Sequence, residues 1–517
     1  MKRGIMLLLL IGGIWIGFTM GQSIPYIDIK LRSQFWFTPD RALVETAQYP
    51  IWVDFVEAPK DPGSGGAMAL WGNDLLVVTR NGEFHLMRGD RSGFDRLDIP
   101  APFDPGALEG QIELSAERKF VGAKGVELRR ADGGWELFLA HNIAHPHRAC
   151  TALALSKVRL DGTGPGTRAA GDWQTIFETS PCIETSFRAH LDQTAGILEF
   201  APDGRLMMTV GDFGIDNHRE IKETIYPTDP NVHYGKILTI DADSGAAEIL
   251  TMGSRNAQGL TVAADGTIWS TEHGPAGGDE LNLIQVGQNY GWPHVSYGSD
   301  YGKFYFPPAG QAQNKHEGYT KPIYSWVPSI AVSAVAEIRG PEFGFWEGDL
   351  IVASLVAESL YRVHLERDDE GDPRVVVVEP IPLEARIRDV LVLPTGEIAA
   401  LLDEQGFVAI VSNQVGDDVA FATPEALKGC ETCHALGPGS RSGSGPDLWQ
   451  VWGRDIASLD GFAYSGALSS KGGAWDEAAL RAYLSDGEVF APGSSMPNQA
   501  ISGADLDRMI EALEGLR

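Results

Sequence analysis

A chain of 517 residues exceeds what one ordinary core organises, so two or three domains are expected. Hydrophobic residues at 43% and charged ones at 21% describe a globular protein, and 61 Gly with 30 Pro favour turn-rich β structure over long helices. The net charge of -29 argues against nucleic-acid binding, because phosphate contacts need clustered Lys and Arg.

The chain opens with the basic run Met1-Lys2-Arg3-Gly4, and an apolar stretch follows from Ile5 to about Met20. That layout predicts an export signal. Sixteen apolar residues fall just short of the ~17–25 that span a bilayer. Thr19 and Gly21 place small residues ahead of Gln22, without a clear Ala-x-Ala site. Residues 1–21 therefore read as a cleaved signal peptide or a retained membrane anchor. Either predicts an extracytoplasmic, periplasmic protein, soluble or tethered to the inner membrane. Residues 22–49 read as a tether, with Phe35-Trp36-Phe37 and a short helical-looking piece after Pro39.

From residue 50 to 411 one pattern returns: a turn with Gly, Asn or Asp, then a short apolar strand. It occurs before Leu75–Val78, Trp135–Ala140, Leu206–Val210, Ile268–Ser270, Leu350–Ala353 and Ile398–Leu402. Turn chemistry alternating with short strands is the hairpin signal. Six copies at wide, fairly even spacing predict a six-bladed β-propeller, with one copy per four-stranded blade. Cys150 and Cys182 lie 32 positions apart in this region. An oxidising compartment favours a disulfide between them, with two buried thiols as the alternative.

Within the propeller, Arg255-Asn256-Ala257-Gln258-Gly259 precedes a strand that opens into Thr271-Glu272-His273-Gly274-Pro275. Asp279-Glu280-Leu281-Asn282 and Asn289-Tyr290-Gly291-Trp292-Pro293 follow. An arginine fork suits a planar, carboxylate-rich ligand. Free carbonyls with carboxylates nearby suit a hard cation such as calcium. Each piece taken alone also fits an ordinary β-protein loop. Farther on, Arg386-Ile387-Arg388-Asp389 places two guanidinium groups at alternate strand positions, which share a face. A surface charge ladder with Glu384 is the other reading of that run.

Polar, acidic residues 412–422 mark a linker, and 423–517 form the second domain. Gly429-Cys430-Glu431-Thr432-Cys433-His434 has the c-type haem attachment spacing. Two thiols three apart can both add to the haem vinyls, with His434 beside them on iron. A zinc site would need further ligands, and no other cysteine lies near.

This second domain resembles the mitochondrial-type class I cytochromes c, through Gly445-Pro446-Asp447-Leu448, Gly453-Arg454, Trp475 and Pro492-Gly493-Ser494-Ser495-Met496. The resemblance implies an all-α domain, His434 and Met496 as iron ligands, and the Pro446 carbonyl as acceptor of the imidazole N–H. The first domain resembles the soluble PQQ-dependent glucose and aldose sugar dehydrogenases, themselves six-bladed propellers. In that family the counterparts of Arg255, Asn256, Arg386, Arg388 and Ser329 meet PQQ, and the Gly274 and Pro275 carbonyls would bind calcium. Two positions depart from the pattern: Gln193 stands where the family has its histidine base, and Val356 where it tends to have a lysine. His190 and Asp192 are the substitute candidates for proton transfer, beside Arg255 in the catalytic set.

The resemblances together imply a quinohaemoprotein with PQQ, calcium and haem c. It would oxidise a sugar or related alcohol and pass electrons to a respiratory-chain acceptor. The alternative is a non-catalytic propeller that presents its cytochrome domain to a partner.

Overall fold

The computed structural model describes residues 41–514 apart from 60–64, 105, 107–120, 132–133, 185–192, 215–225, 300–314, 369, 403–405, 414–424, 428, 431–432, 437–444, 450, 460–461 and 497. The expected signal or anchor, most of the linker, and His190 and Asp192 lie outside the described residues. Contacts divide the chain into a larger unit ending at Ser412 and a smaller one from Asn413 to Arg517, with residues 45–52 grouped with the smaller unit.

The larger unit is a six-bladed propeller. Six antiparallel sheets succeed one another, opening with Ala67–Trp71, Ala123–Ala131, Ala195–Phe200, Ala257–Val262, Val332–Glu337 and Ile387–Val392. These first strands surround an axial channel. Each predicted strand is the second of its blade, paired to the first through the predicted turn. Gly204 and Gly266 hold two of those turns at φ 84° and 86°, where a side chain would be strained. The second strands of blades three and five, Leu206–Val210 and Leu350–Ser354, are buried at every position, as expected of strands covered on both faces.

The tether ends earlier than the sequence implies. Arg41–Glu45 is a strand, not a helical piece, and it pairs with Pro50–Glu57, which lies beside Phe407–Ser412. The short run Arg-Ala-Leu-Val-Glu carries no decisive local preference, so the unfilled edge of the sixth sheet determines its conformation.

Cys150 and Cys182 form a disulfide with Cα atoms 5.6 Å apart. It fastens the start of Cys150–Leu160 beside Ile183–Glu184, the short strand that pairs with it.

Described residues of the smaller unit form helices Gly466–Ser469, Glu477–Ser485, Gly487–Phe490 and Gly503–Glu514. Ser465 and Asp476 cap the first two through side-chain oxygens that accept from Leu468 N and Ala479 N. Leu480, Leu484, Leu506, Ile510 and Leu513 pack with Leu427, Val451 and Trp475 into one core. No helix among the described residues is long and apolar enough to cross a membrane.

The disulfide closes a loop of 32 residues. Cys150→Ser should therefore lower unfolding stability by about 2–4 kcal/mol. Calorimetry of the variant beside the reduced wild type checks this, and both should melt at the same lower temperature.

Candidate functional site

Three blades supply the predicted site residues. Arg255 precedes the first strand of blade four; Gly274 and Pro275 follow its second strand. Ser329 precedes the first strand of blade five, while Arg386 and Arg388 lie at the start of the first strand of blade six. Asp279, fully buried, ties the first two blades together. Its Oδ1 accepts from Gly274 N at 3.0 Å. Its Oδ2 accepts from Ser329 Oγ at 2.6 Å, Ile330 N at 2.9 Å and Ala331 N at 2.6 Å. Ser329 is thus part of the anchor that sets the loop. A Cβ on Gly274 would lie 2.2 Å from the Gly278 carbonyl oxygen, so this loop folds on itself only without a side chain.

The Arg255 guanidinium donates through Nη1 to the His273 carbonyl at 3.0 Å and the Gly274 carbonyl at 2.9 Å. It lies 5.5 Å from the Trp292 ring centroid, within cation–π range. Gln193 bridges two partners with its amide oriented to satisfy both. Its nitrogen donates to Asp212 Oδ1 at 3.1 Å, and its oxygen accepts from Arg255 Nη2 at 3.1 Å. Trp292 Nε1 donates to Asp212 Oδ2 at 2.8 Å. Arg255, Gln193, Asp212 and Trp292 therefore form a closed ring. Asn256 accepts from Ala195 N at 3.2 Å and Gln258 Nε2 at 2.9 Å, fixing the entry to blade three.

Arg386 Nη1 donates to the Leu355 carbonyl at 3.4 Å. Arg388 and Arg255 both act on the His273 imidazole. Burial first, and then these two cations against the opposing pull of Asp279, lower its pKa to about 4, so the ring is neutral. His273 Nε2 has no hydrogen-bond partner among the described residues. A buried orphan nitrogen in the field of two guanidinium groups fits an anionic, hydrogen-bonding planar ligand. Val356, where a lysine was the family expectation, is 64% exposed, and Val327 beside the Ser329 loop is 66% exposed.

The calcium donors are more constrained. The Gly274 carbonyl accepts from Arg255, and no cluster of three or more ligating side chains is found among the described residues. Two carboxyls lie near: Glu272 accepts from Arg255 N at 2.6 Å, and Glu280 lines the same small pocket. Burial raises Glu272 to about 7, and burial plus the neighbouring Glu272 raises Glu280 well above the carboxylate range. The oxygen chemistry suits calcium, provided Arg255 leaves the Gly274 carbonyl.

Sequence reasoning gave no role to Asp279, Asp212, Trp292 or His273. His273, Asp279 and Trp292 sit in the quoted motifs and Asp212 does not, and their partners come from other turns and blades. His190 and Asp192 lie outside the described residues.

In the smaller unit, His434 Nδ1 is 2.6 Å from the Pro446 carbonyl oxygen, the partner expected for it. That bond makes Nδ1 the donor and leaves Nε2 for a metal. A Cβ on Gly445 would come within 2.4 Å of the ring, so only glycine fits there. Cys430 is half-buried, Cys433 is exposed, and neither is in a disulfide. Tyr483 Oη and Ser494 Oγ are 2.6 Å apart, and Met496 N donates to the same Oγ at 3.4 Å, which fixes the methionine loop. The residues fit covalent haem with His434 and Met496 on iron.

Fold and site together define a class: a six-bladed propeller with arginines gathered at a His-Gly-Pro loop, continued by a class I cytochrome c domain. The chain belongs to the Glucose / Sorbosone dehydrogenase family, whose model matches residues 68–409. It is 30% identical over 250 residues to the aldose sugar dehydrogenase YliI of Escherichia coli, covering 45% of this chain and 62% of that protein. The PQQ-bound structure of a Streptomyces coelicolor aldose sugar dehydrogenase aligns with TM-score 0.50 and 20% identity, over 73% of this chain and 99% of that one. At that identity the likeness is one of fold. Over 76 residues the chain is 40% identical to cytochrome c2 of Rhodoblastus acidophilus, 14% of this chain and 71% of that protein.

The axial channel carries further acids, Glu127, Glu199 and Asp389, each half-buried. Burial raises Glu127 to about 7 and Asp389 to about 6; burial and the charge of Glu127 raise Glu199 to about 8. A folded-state pKa above the unfolded one means the native state holds the proton more tightly. The stabilisation is full below the ordinary carboxylate range and lost as pH rises through the raised values. The unfolding midpoint of the protein should therefore fall between about pH 5 and pH 8, and Glu199→Gln should flatten that fall. Denaturant melts across the range test it.

Met496→Ala should keep the haem covalently attached yet remove the far-red absorption band of methionine–iron ligation. Spectra of oxidised wild type and variant check this.

Proposed function

We propose that this chain is an exported quinohaemoprotein dehydrogenase, in which the propeller oxidises a sugar or related alcohol with PQQ. The electrons then pass singly to the fused haem c and on to a downstream respiratory acceptor. The observation that carries the reading is the site itself: Arg255 and Arg388, from different blades, bear on one neutral histidine whose Nε2 has no partner among the described residues. When bound, PQQ would supply a two-electron acceptor, calcium a Lewis acid and haem a one-electron relay.

The protein's own groups do the rest. Arg255, Arg386 and Arg388 would hold the carboxylate-rich cofactor and stabilise negative charge as it develops on oxygen. Gly274 and Pro275 would offer carbonyls to calcium. Asp279 keeps that loop in place. Gln193 cannot take a proton, so the hydroxyl proton needs another acceptor. His190 is the first choice and Asp192 the second. Gln193 is tied into the site by Asp212 and Arg255, and three residues of chain reach at most about 10 Å. An imidazole with an unperturbed pKa of ~6.5 suits the task. Covalent fusion keeps the electron acceptor at high effective concentration without a new interface.

One observation favours a second reading, a propeller that only presents its cytochrome: the amide of Gln193 occupies the place of the family's base, bonded on both ends. Protein loaded with PQQ and calcium and offered a panel of aldoses and alcohols decides between them. Internal haem reduction is expected in the wild type. Arg388→Ala should weaken PQQ binding by roughly 1.5–3 kcal/mol, the worth of a charge-assisted bond. General-base catalysis contributes ~10²–10⁴-fold, so His190→Ala should slow reduction by at least a hundredfold while Gln193→His changes little. An inactive wild type that gains turnover from Gln193→His would mark the non-catalytic reading as correct.

A further inference from the structure

Arg255 is bonded to an atom that a second cation would need. Its Nη1 donates to the Gly274 carbonyl at 2.9 Å, and the same oxygen is one of two that calcium would take. A guanidinium and a divalent ion on that one oxygen oppose each other, because at about 3–4 Å their repulsion is large wherever water is excluded. Both positive groups can stay only if the arginine turns to a negative partner.

Gln193 holds the arginine where it is. Asp212 accepts from Gly214 N at 2.7 Å and Trp292 Nε1 at 2.8 Å, so its position is fixed independently of Gln193. Asp212 then anchors the amide nitrogen of Gln193, and the amide oxygen at the other end receives Arg255 Nη2. Trp292 closes the ring against the guanidinium.

Resting on the PQQ reading above, we infer that Gln193 is a positioning residue: it latches Arg255 onto the Gly274 carbonyl, so that calcium and quinone load together. A carboxylate of the quinone offers the guanidinium a stronger partner than a neutral carbonyl. With Arg255 turned to such a carboxylate, the Gly274 oxygen would be free to serve as a calcium donor. Linkage makes the effect reciprocal, so calcium tightens quinone binding by the factor by which quinone tightens calcium.

The test measures calcium affinity of the full haem-containing chain by titration calorimetry, with and without saturating PQQ. It uses wild type, Gln193→Leu and Arg255→Met, with a thermal melt of each to confirm folding. Wild type should bind calcium at least about tenfold more tightly with PQQ present, a coupling of the usual size for linked sites. Gln193→Leu should bind calcium alone several-fold more tightly than wild type and show less coupling. Loss of structure could not produce that gain. Arg255→Met should bind calcium alone tightest, whatever its loss of PQQ affinity. If wild type and Gln193→Leu bind calcium equally, with or without PQQ, the latch is overturned while the dehydrogenase reading stands. If the wild type binds neither PQQ nor calcium, both fall together.

Discussion

A single buried carboxylate organises the loops around the cofactor site. Among the described residues no cation is bonded to Asp279; instead four donors surround it, three from backbone and one from Ser329. Such oriented N–H groups satisfy a buried carboxylate without an ion pair. Each oxygen addresses a different blade, so the Gly274–Pro275 loop and the Ser329–Ala331 turn move as one piece. Ala331, at φ 56°, is held in the left-handed region by this anchor. The carbonyls presented to Arg255 owe their direction to the same contact.

The propeller was largely legible because its repeating unit is local. A turn and the strand after it lie within a dozen residues, so Asp265-Gly266 before Ile268 announces blade four without help from the rest of the chain. The strand at Arg41–Glu45 was not legible, since the strand it pairs with, Pro50–Glu57, is itself placed by Phe407–Ser412 near the far end of the domain. The site divides along the same line. Arg255, Gly274 and Arg388 stand in short motifs that carry their own chemistry. The bridge from Gln193 through Asp212 to Arg255 joins residues from separate turns of the ring. No spacing rule predicts it, and Gln193 read alone signalled only a missing base.

The cytochrome domain shows the opposite balance. His434, Pro446 and Gly445 interlock over a dozen residues, so the carbonyl that orients the imidazole and the glycine that makes room for it could both be expected from motif order. The Met496 loop required more: Tyr483, from a neighbouring helix, reaches the Ser494 hydroxyl that also receives the methionine's own N–H. Helix packing places that contact, and it emerges only once the core of Leu480, Leu484 and Ile510 is assembled.

The N-terminal strand beside Phe407–Ser412 sets an order of events during synthesis. Blade six draws on both ends of the ring, and Met68 N bonds Asp389 Oδ2 at 2.7 Å across 321 positions of sequence. Closing so long a loop is entropically unfavourable and comes late. Arg386 and Arg388 come into place with that blade. Five blades can therefore fold as the chain leaves the ribosome, while the arginines of blade six join the site only after residue 412 has emerged. An interrupted chain would be left with open sheet edges and an unclosed ring.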